Sequence, residues 1–372
     1  MSVAFVFPGQ GSQRVGMGRA LAEAFRESSE VFAEADRVLG FPLSRLCLEG
    51  PQEELQLTAN TQPAILATSV AALRPLLARG HRPLWVAGHS LGEYSALVAA
   101  GALAFADALQ TVRRRGQYMQ EAVPVGQGAM AAILGLDLAA IEEACRAAAE
   151  GEVVAPANVN SPGQVVIAGH ARAVDRAMER CRAAGAKRAV RLPVSAPFHS
   201  GLMKPAEEGE VVAPANVNSP GQVVIAGHAP AVDRAIERCR AAGAKRAVRL
   251  AVSAPFHSAL MKPAEERLAR DLASLPLKDP EVPLVRNVDA RTVRTAAECR
   301  DGLERQVSRP VRWQESVELL AREGVRTFVE VGPGTVLGGL VRKTVPDARV
   351  LSVEDPASLE RTAAALADGA KG

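Results

Sequence analysis

The first third of the chain switches repeatedly between short apolar runs and stripes of helical period. Residues 3–7 form an apolar run that stops at Pro8-Gly9, which predicts a buried strand. Over residues 17–39 the apolar positions Leu21, Phe25, Phe32 and Leu39 recur on one face, which predicts one helix. Residues 60–78 predict a second, with Ile65, Leu66, Val70, Leu73 and Leu77 at near-helical spacing. Its Pro63 suits a first turn, and Pro75 predicts a kink. Residues 84–87 read as a strand, 91–100 as a helix and 105–121 as another helix. Strands that alternate with helices predict an α/β sheet of largely parallel strands.

Beyond residue 128 the order changes to strand 130–134, helix 138–149, strands 153–158 and 164–168, helix 173–184 and strand 189–194. This β-α-β-β-α-β order predicts a ferredoxin-like small domain. It falls over residues 126–252, between the two parts of a large domain, 1–125 and 253–372. Strands at 284–287, 326–331 and 350–353, a helix at 317–322 and a turn at 332–334 complete the large domain. The alanine-rich last ten residues are expected to fray.

The small domain is enlarged by a repeat. Residues 151–208 and 209–266 align without a gap at a period of 58 and differ only at Arg172/Pro230, Met178/Ile236, Pro193/Ala251 and Gly201/Ala259. Two near-identical copies, cut in mid-element, point to a recent tandem duplication or an assembly artefact rather than a solenoid, which needs about three or more copies.

Composition removes several function classes. With 48% hydrophobic residues the chain can bury a large core, and a net charge of +3 is too small to argue for nucleic acid. Basic clusters at 113–115 and at Lys187, Arg188 and Arg191 read as solvated faces or as a landing surface for an acidic partner. Five cysteines without a Cys-x-x-Cys pair predict a reduced, cytoplasmic protein. The N-terminus lacks the pattern of a signal peptide, and no stretch approaches the roughly 20 apolar residues of a membrane span. Gly9-x-Gly11 could open a dinucleotide loop, but Arg14 stands where the third glycine is required. No metal or cofactor is implied.

The chemistry gathers at Gly88-His89-Ser90-Leu91-Gly92, between the strand at 84–87 and the helix at 91–100. Gly-x-Ser-x-Gly at a strand-to-helix junction is the nucleophile-elbow pattern, and it predicts an α/β-hydrolase-like large domain. The turn lifts the serine hydroxyl above the sheet edge, and the Leu91 amide faces the same space. Ser90 needs a base. Of six histidines, His81, His89, His170 and His228 read as surface, structural or loop residues, which leaves His199 and His257. Each lies in Val-Ser-Ala-Pro-Phe-His-Ser, one per copy, and no Asp or Glu partner for either emerges.

The stretch from Ala87 to Leu97 resembles the nucleophile segment of malonyl-CoA:acyl-carrier-protein transacylases. Four others agree in order: Phe5-Val6-Phe7-Pro8-Gly9-Gln10-Gly11-Ser12-Gln13, Arg115-Gly116-Gln117-Tyr118-Met119-Gln120, Asn158-Val159-Asn160-Ser161-Pro162-Gly163-Gln164 and Glu330-Val331-Gly332-Pro333-Gly334. The resemblance implies that Gln10 is the second oxyanion donor and that Arg115 receives the malonyl carboxylate. It also implies that a main-chain carbonyl near Gln306 orients the histidine and that Phe198 or Phe256 narrows the pocket. Arg113 and Arg114 would be surface neighbours. The activity implied is ping-pong transfer of malonyl from malonyl-CoA to the phosphopantetheine thiol of acyl carrier protein for fatty acid biosynthesis, by a monomer. Alternatives are a serine esterase or thioesterase, a polyketide-type malonyl loading acyltransferase, and an inactive duplicated paralogue. A longer helix follows His257 than His199, so His257 is expected to complete the site, while copy-1 strands complete the small domain.

Overall fold

Val3–Phe7 (β1) is apolar and buried at all five positions, and it has parallel neighbours on both sides. The structure, a computed structural model, describes residues 2–122, 154–161, 164–169, 179–181, 184, 212–219, 222–227, 257 and 261–369. In chain order β1 is followed by α1 (Arg19–Ala24), α2 (Arg26–Leu39), α3 (Leu43–Glu49), α4 (Gln52–Gln56) and α5 (Thr58–Ala78). Next come β2 (Trp85–Gly88), α6 (Gly92–Ala99) and α7 (Phe105–Ala122). The repeats contribute β3 (Val154–Ser161), β4 (Gln164–Gly169), β5 (Val212–Ser219) and β6 (Gln222–Gly227). After them lie α8 (Lys262–Ala273), β7 (Leu284–Val285), β8 (Thr292–Val293), α9 (Ala296–Arg305), β9 (Val311–Arg312) and α10 (Trp313–Arg322). The chain closes with β10 (Thr327–Val331), α11 (Val336–Thr344), β11 (Arg349–Val353) and α12 (Pro356–Gly369).

Two compact units emerge: Met1–Tyr118 with Arg267–Glu304 and Glu315–Gly372, and Met119–Glu266 with Arg305–Gln314. The first holds a six-stranded sheet in the order β11-β10-β1-β2-β7-β8. Every pairing in it is parallel except β7 with β8. The expected α/β sheet of largely parallel strands is therefore present.

Several elements depart from the sequence reading. The helix expected over 17–39 is two, because Phe25 is extended at φ −129 and ψ 125. The apolar stripe continues across the break, so spacing alone did not reveal it. Pro63 sits inside α5 rather than in its first turn. A proline leaves the carbonyl four residues back without its helical donor. Both orphaned carbonyls in α5 are satisfied from outside: Ala59 O accepts from Arg113 Nη1 at 2.7 Å, and Ala71 O accepts from Ser28 Oγ at 2.7 Å. Of the ten residues expected to fray, 363–369 instead belong to α12, and 370–372 lie outside the described residues. Asp355 accepts from the Ser358 amide at 2.7 Å, and buried Leu359 anchors the first turn. Strand β7 ends at Val285, two residues early, which turns Arg286 toward Asp289 and Asp301.

In the second unit the two copies fold alike where they are described. Hairpins β3–β4 and β5–β6 are antiparallel with equivalent registers, Val154 against Gly169 and Val212 against Gly227. Strand β9 pairs parallel with β5, from the second copy (Asn216 with Val311, Val217 with Arg312). The edge beside β9 is therefore taken by the second copy. Strand residues are identical in the two copies, so their sequence could not decide which one takes it. The elements expected at 130–134, 138–149 and 189–194, and most of helix 173–184, lie outside the described residues.

At the end of β10, Glu330 caps α11 by accepting from the amides of Leu337 at 3.0 Å and Gly338 at 2.7 Å. Burial nevertheless pushes its carboxyl from an ordinary 4.5 up to about 7. The folded state then keeps a proton that the unfolded chain has already released. Stability from this group is greatest below about 4.5 and falls as pH rises toward 7, by on the order of 3 kcal/mol. Denaturant unfolding of wild type and Glu330→Gln between pH 5 and 7 checks this, since the variant should lose that downward slope.

Candidate active site

The elbow is built from its backbone outward. A Cβ on Gly88 would collide with the backbone of Gly92, and one on Gly92 would collide with Phe7 O, so both positions need glycine. Between them Ser90 has φ 55, a left-handed conformation that L residues rarely adopt. The strain is held by Asn287, which lies just beyond β7. Its Oδ1 accepts from the Ser90 amide at 2.6 Å, and its Nδ2 donates to Gly88 O at 2.6 Å. The Asn287 amide in turn donates to Glu93 Oε2 at 2.9 Å. Fully buried Glu93 thus fixes the residue that fixes the nucleophile turn. The strand before the elbow is tied in as well, because the His89 amide donates to Phe7 O at 2.9 Å.

Arg115 comes from the middle of α7 and is 1% exposed. Its Nη2 donates to Ser90 Oγ at 3.2 Å and its Nη1 to Gln62 Oε1 at 2.7 Å. The Tyr94 ring lies beneath it, with the centroid 5.8 Å from Cζ. Burial lowers the pKa of the guanidinium, so an incoming anion offsets a charge that the protein interior disfavours. Gln62 Nε2 donates to Gln10 Oε1 at 3.2 Å, and Gln10 Nε2 to Thr58 Oγ1 at 3.4 Å. Ser90, Arg115 and Gln10 are therefore joined in one network in the first unit, with Leu91 buried at the start of α6.

The basic run 113–115 is not one patch. Arg113 bonds the Ala59 carbonyl and stacks on Phe41 at 4.8 Å, so it is structural rather than a plain surface neighbour. Arg114 is exposed and lies 3.3 Å from Asp271.

Within the second unit, His257 is 2% exposed and has φ 56. Its Nδ1 lies 2.7 Å from the main-chain oxygen of Gln306. A carbonyl only accepts, so Nδ1 carries the hydrogen, and in the neutral ring the lone pair is on Nε2. That tautomer is a base. His199, Phe198 and Phe256 lie outside the described residues.

A family model described as the acyl transferase domain matches residues 4–211 and 206–360, two stretches that meet where the repeats join. The chain belongs to this acyl transferase family. A relative named malonyl CoA-acyl carrier protein transacylase, from Salmonella typhimurium, is 45% identical over 357 residues and aligns over 96% of this chain and 97% of its own. An acyl carrier protein S-malonyltransferase from Vibrio cholerae is 43% identical, with a TM-score of 0.75 over 97% of this chain and 100% of its own. A malonyl-transacylase solved with its type II polyketide acyl-carrier protein is also 43% identical, with a TM-score of 0.76 over 97% and 98%. The mixed α/β fold with a parallel sheet is shared with these acyl transferases.

An acyl transferase of this kind needs a nucleophile, a base and donors for an oxyanion. Among the described residues no group of three or more His, Cys, Asp or Glu could hold a metal, and no helix is long and apolar enough to cross a membrane. Sequence reasoning missed Asn287, Glu93 and Gln62. The available signal was a polar residue inside or ending an apolar run: Glu93 and Gln62 on buried helices, Asn287 two residues past Leu284-Val285.

Proposed function

We infer that this acyltransferase moves the malonyl group from malonyl-CoA to the phosphopantetheine thiol of acyl carrier protein through a malonyl-serine intermediate, in supply of fatty acid biosynthesis. The observation that carries this is the buried Arg115 guanidinium bonded to Ser90 Oγ at 3.2 Å. In a malonyl ester the free carboxylate carbon lies about 2.5 Å from the carbonyl carbon, two single bonds away. A cation beside the nucleophile is therefore placed for that carboxylate, and a planar fork receives it on two hydrogen bonds.

In the proposed reaction His257 Nε2 removes the Ser90 proton as Oγ attacks the thioester carbonyl. The electron pair of the carbonyl moves to oxygen. The Ser90 amide is engaged by Asn287, so the amides of Leu91 and Gln10 are the donors assigned to this oxyanion. Collapse expels CoA thiolate, which takes the proton back from the imidazolium. The carrier thiol then repeats the sequence in reverse on the malonyl ester. Gln306 O holds the imidazole in the working tautomer at both stages. The first unit serves as an α/β-hydrolase-like scaffold and the second as a ferredoxin-like insert, in a cytoplasmic monomer. The likeness to a transacylase bound to a polyketide carrier supports a second reading, malonyl loading of such a carrier. Assaying both carrier types separates the two.

Malonyl-CoA alone should leave one malonyl group on the protein, discharged on adding holo carrier protein. Arg115→Ala should lose about thirtyfold or more of malonyl transfer, by removal of a charge-assisted pair, while acetyl transfer holds or rises. Initial rates with both thioesters check this. Equal loss of both would make Arg115 a structural residue.

A further inference from the structure

We propose that Gln62 is a specificity-determining positioning residue: it aims the Arg115 fork at a substrate carboxylate and links carboxylate recognition to the Gln10 loop. This rests on the malonyl-transfer reading and adds to it a residue and a route of coupling.

The direction of the network follows from donor chemistry. A guanidinium has only donors, so the Gln62 side chain must turn its oxygen to Arg115 Nη1, at 2.7 Å. Its amide nitrogen must then face away, where Gln10 Oε1 accepts at 3.2 Å. Gln10 in turn points its own nitrogen at Thr58 Oγ1, 3.4 Å away. The charge on Arg115 therefore sets the sense of two amide side chains, and the second belongs to the residue whose main chain is assigned to the oxyanion. Gln62 is fully buried in α5, one residue before Pro63. Its side chain bonds both Arg115 and Gln10.

A neutral acceptor at position 62 orients the guanidinium without cancelling its charge, which stays available for the substrate. A carboxylate there would cancel it and would face Gln10 Oε1 acceptor to acceptor. Gln62→Glu is therefore a built-in competitor for malonyl. Gln62→Met keeps the bulk and removes the aim.

The test measures kcat and KM with malonyl-CoA and with acetyl-CoA for wild type, Gln62→Glu and Gln62→Met, together with thermal midpoints. In Gln62→Glu, malonyl kcat/KM should fall about thirtyfold while acetyl kcat/KM stays within about threefold. In Gln62→Met, malonyl should again fall more than acetyl, with the loss largely in kcat because alignment rather than charge is removed. If Gln62→Glu does not fold, the malonyl-to-acetyl ratio of Gln62→Met decides. A ratio unchanged from wild type in the folded variants, whether both activities fall together or neither moves, overturns the role of Gln62 alone. A wild-type enzyme with no preference for malonyl-CoA overturns the reading beneath it as well.

Discussion

Ser90→Ala should take up no malonyl group and should lose about 10⁴-fold or more of transferase activity, the scale seen when an acyl-transfer nucleophile is removed. The elbow does not depend on the serine hydroxyl for its shape. Its turn is set by Gly88 and Gly92, and its amide is held by Asn287 at 2.6 Å. Alanine tolerates the φ of 55 about as well as serine does, so the thermal midpoint should barely move. Loss of activity without loss of stability is then attributable to chemistry. Digestion after exposure to malonyl-CoA, with the added mass mapped to its peptide, provides the check. A Ser90→Ala protein that still carries malonate would place the nucleophile elsewhere.

The second large effect separates the two histidines. His257→Ala should reduce transfer by about 10³-fold or more, since an unassisted serine hydroxyl is a weak nucleophile at neutral pH. His199→Ala should stay within about twofold of wild type. The reason is the assignment of the second copy: its strand β5 takes the edge beside β9, and its His257 meets the Gln306 carbonyl at 2.7 Å. Excising residues 151–208 should accordingly leave a 314-residue enzyme (372 − 58) with near wild-type rates. The junction it creates has the same local sequence as the one removed, because Gly151-Glu152 and Gly209-Glu210 begin segments that differ at only four positions. Activity that collapses at position 199 and survives at position 257 would give the site to the first copy.

Much of this was legible because it is local. The alternation of apolar runs with helical stripes predicted the parallel α/β sheet, and a serine between two glycines marked the elbow. Arg115 stood out through the resemblance rather than through its spacing. The supporting groups were not legible, for a physical reason. Asn287 reaches Ser90 across 197 positions and Gln62 reaches Arg115 across 53, and no periodicity encodes such pairings. Helix α5 is buried over most of its surface, so it shows no polar face on which a functional Gln62 could be noticed. The prolines inside it misled for a similar reason, since Arg113 and Ser28, which satisfy the freed carbonyls, lie elsewhere in sequence. The duplicated strands exposed a different limit. Identical residues have identical propensities, and only the rest of the molecule can choose between them.

The left-handed backbone at Ser90 also narrows the evolutionary paths open to this site. Three side chains commonly serve as hydroxyl or thiol nucleophiles, those of serine, threonine and cysteine. At φ 55 a β-branched residue is a steric outlier, so a drift from serine to threonine would have to break the turn that presents the hydroxyl. Cysteine carries no such branch and fits the same backbone. A lineage that keeps this elbow can exchange an oxygen nucleophile for a sulfur one in a single step, and has no third choice.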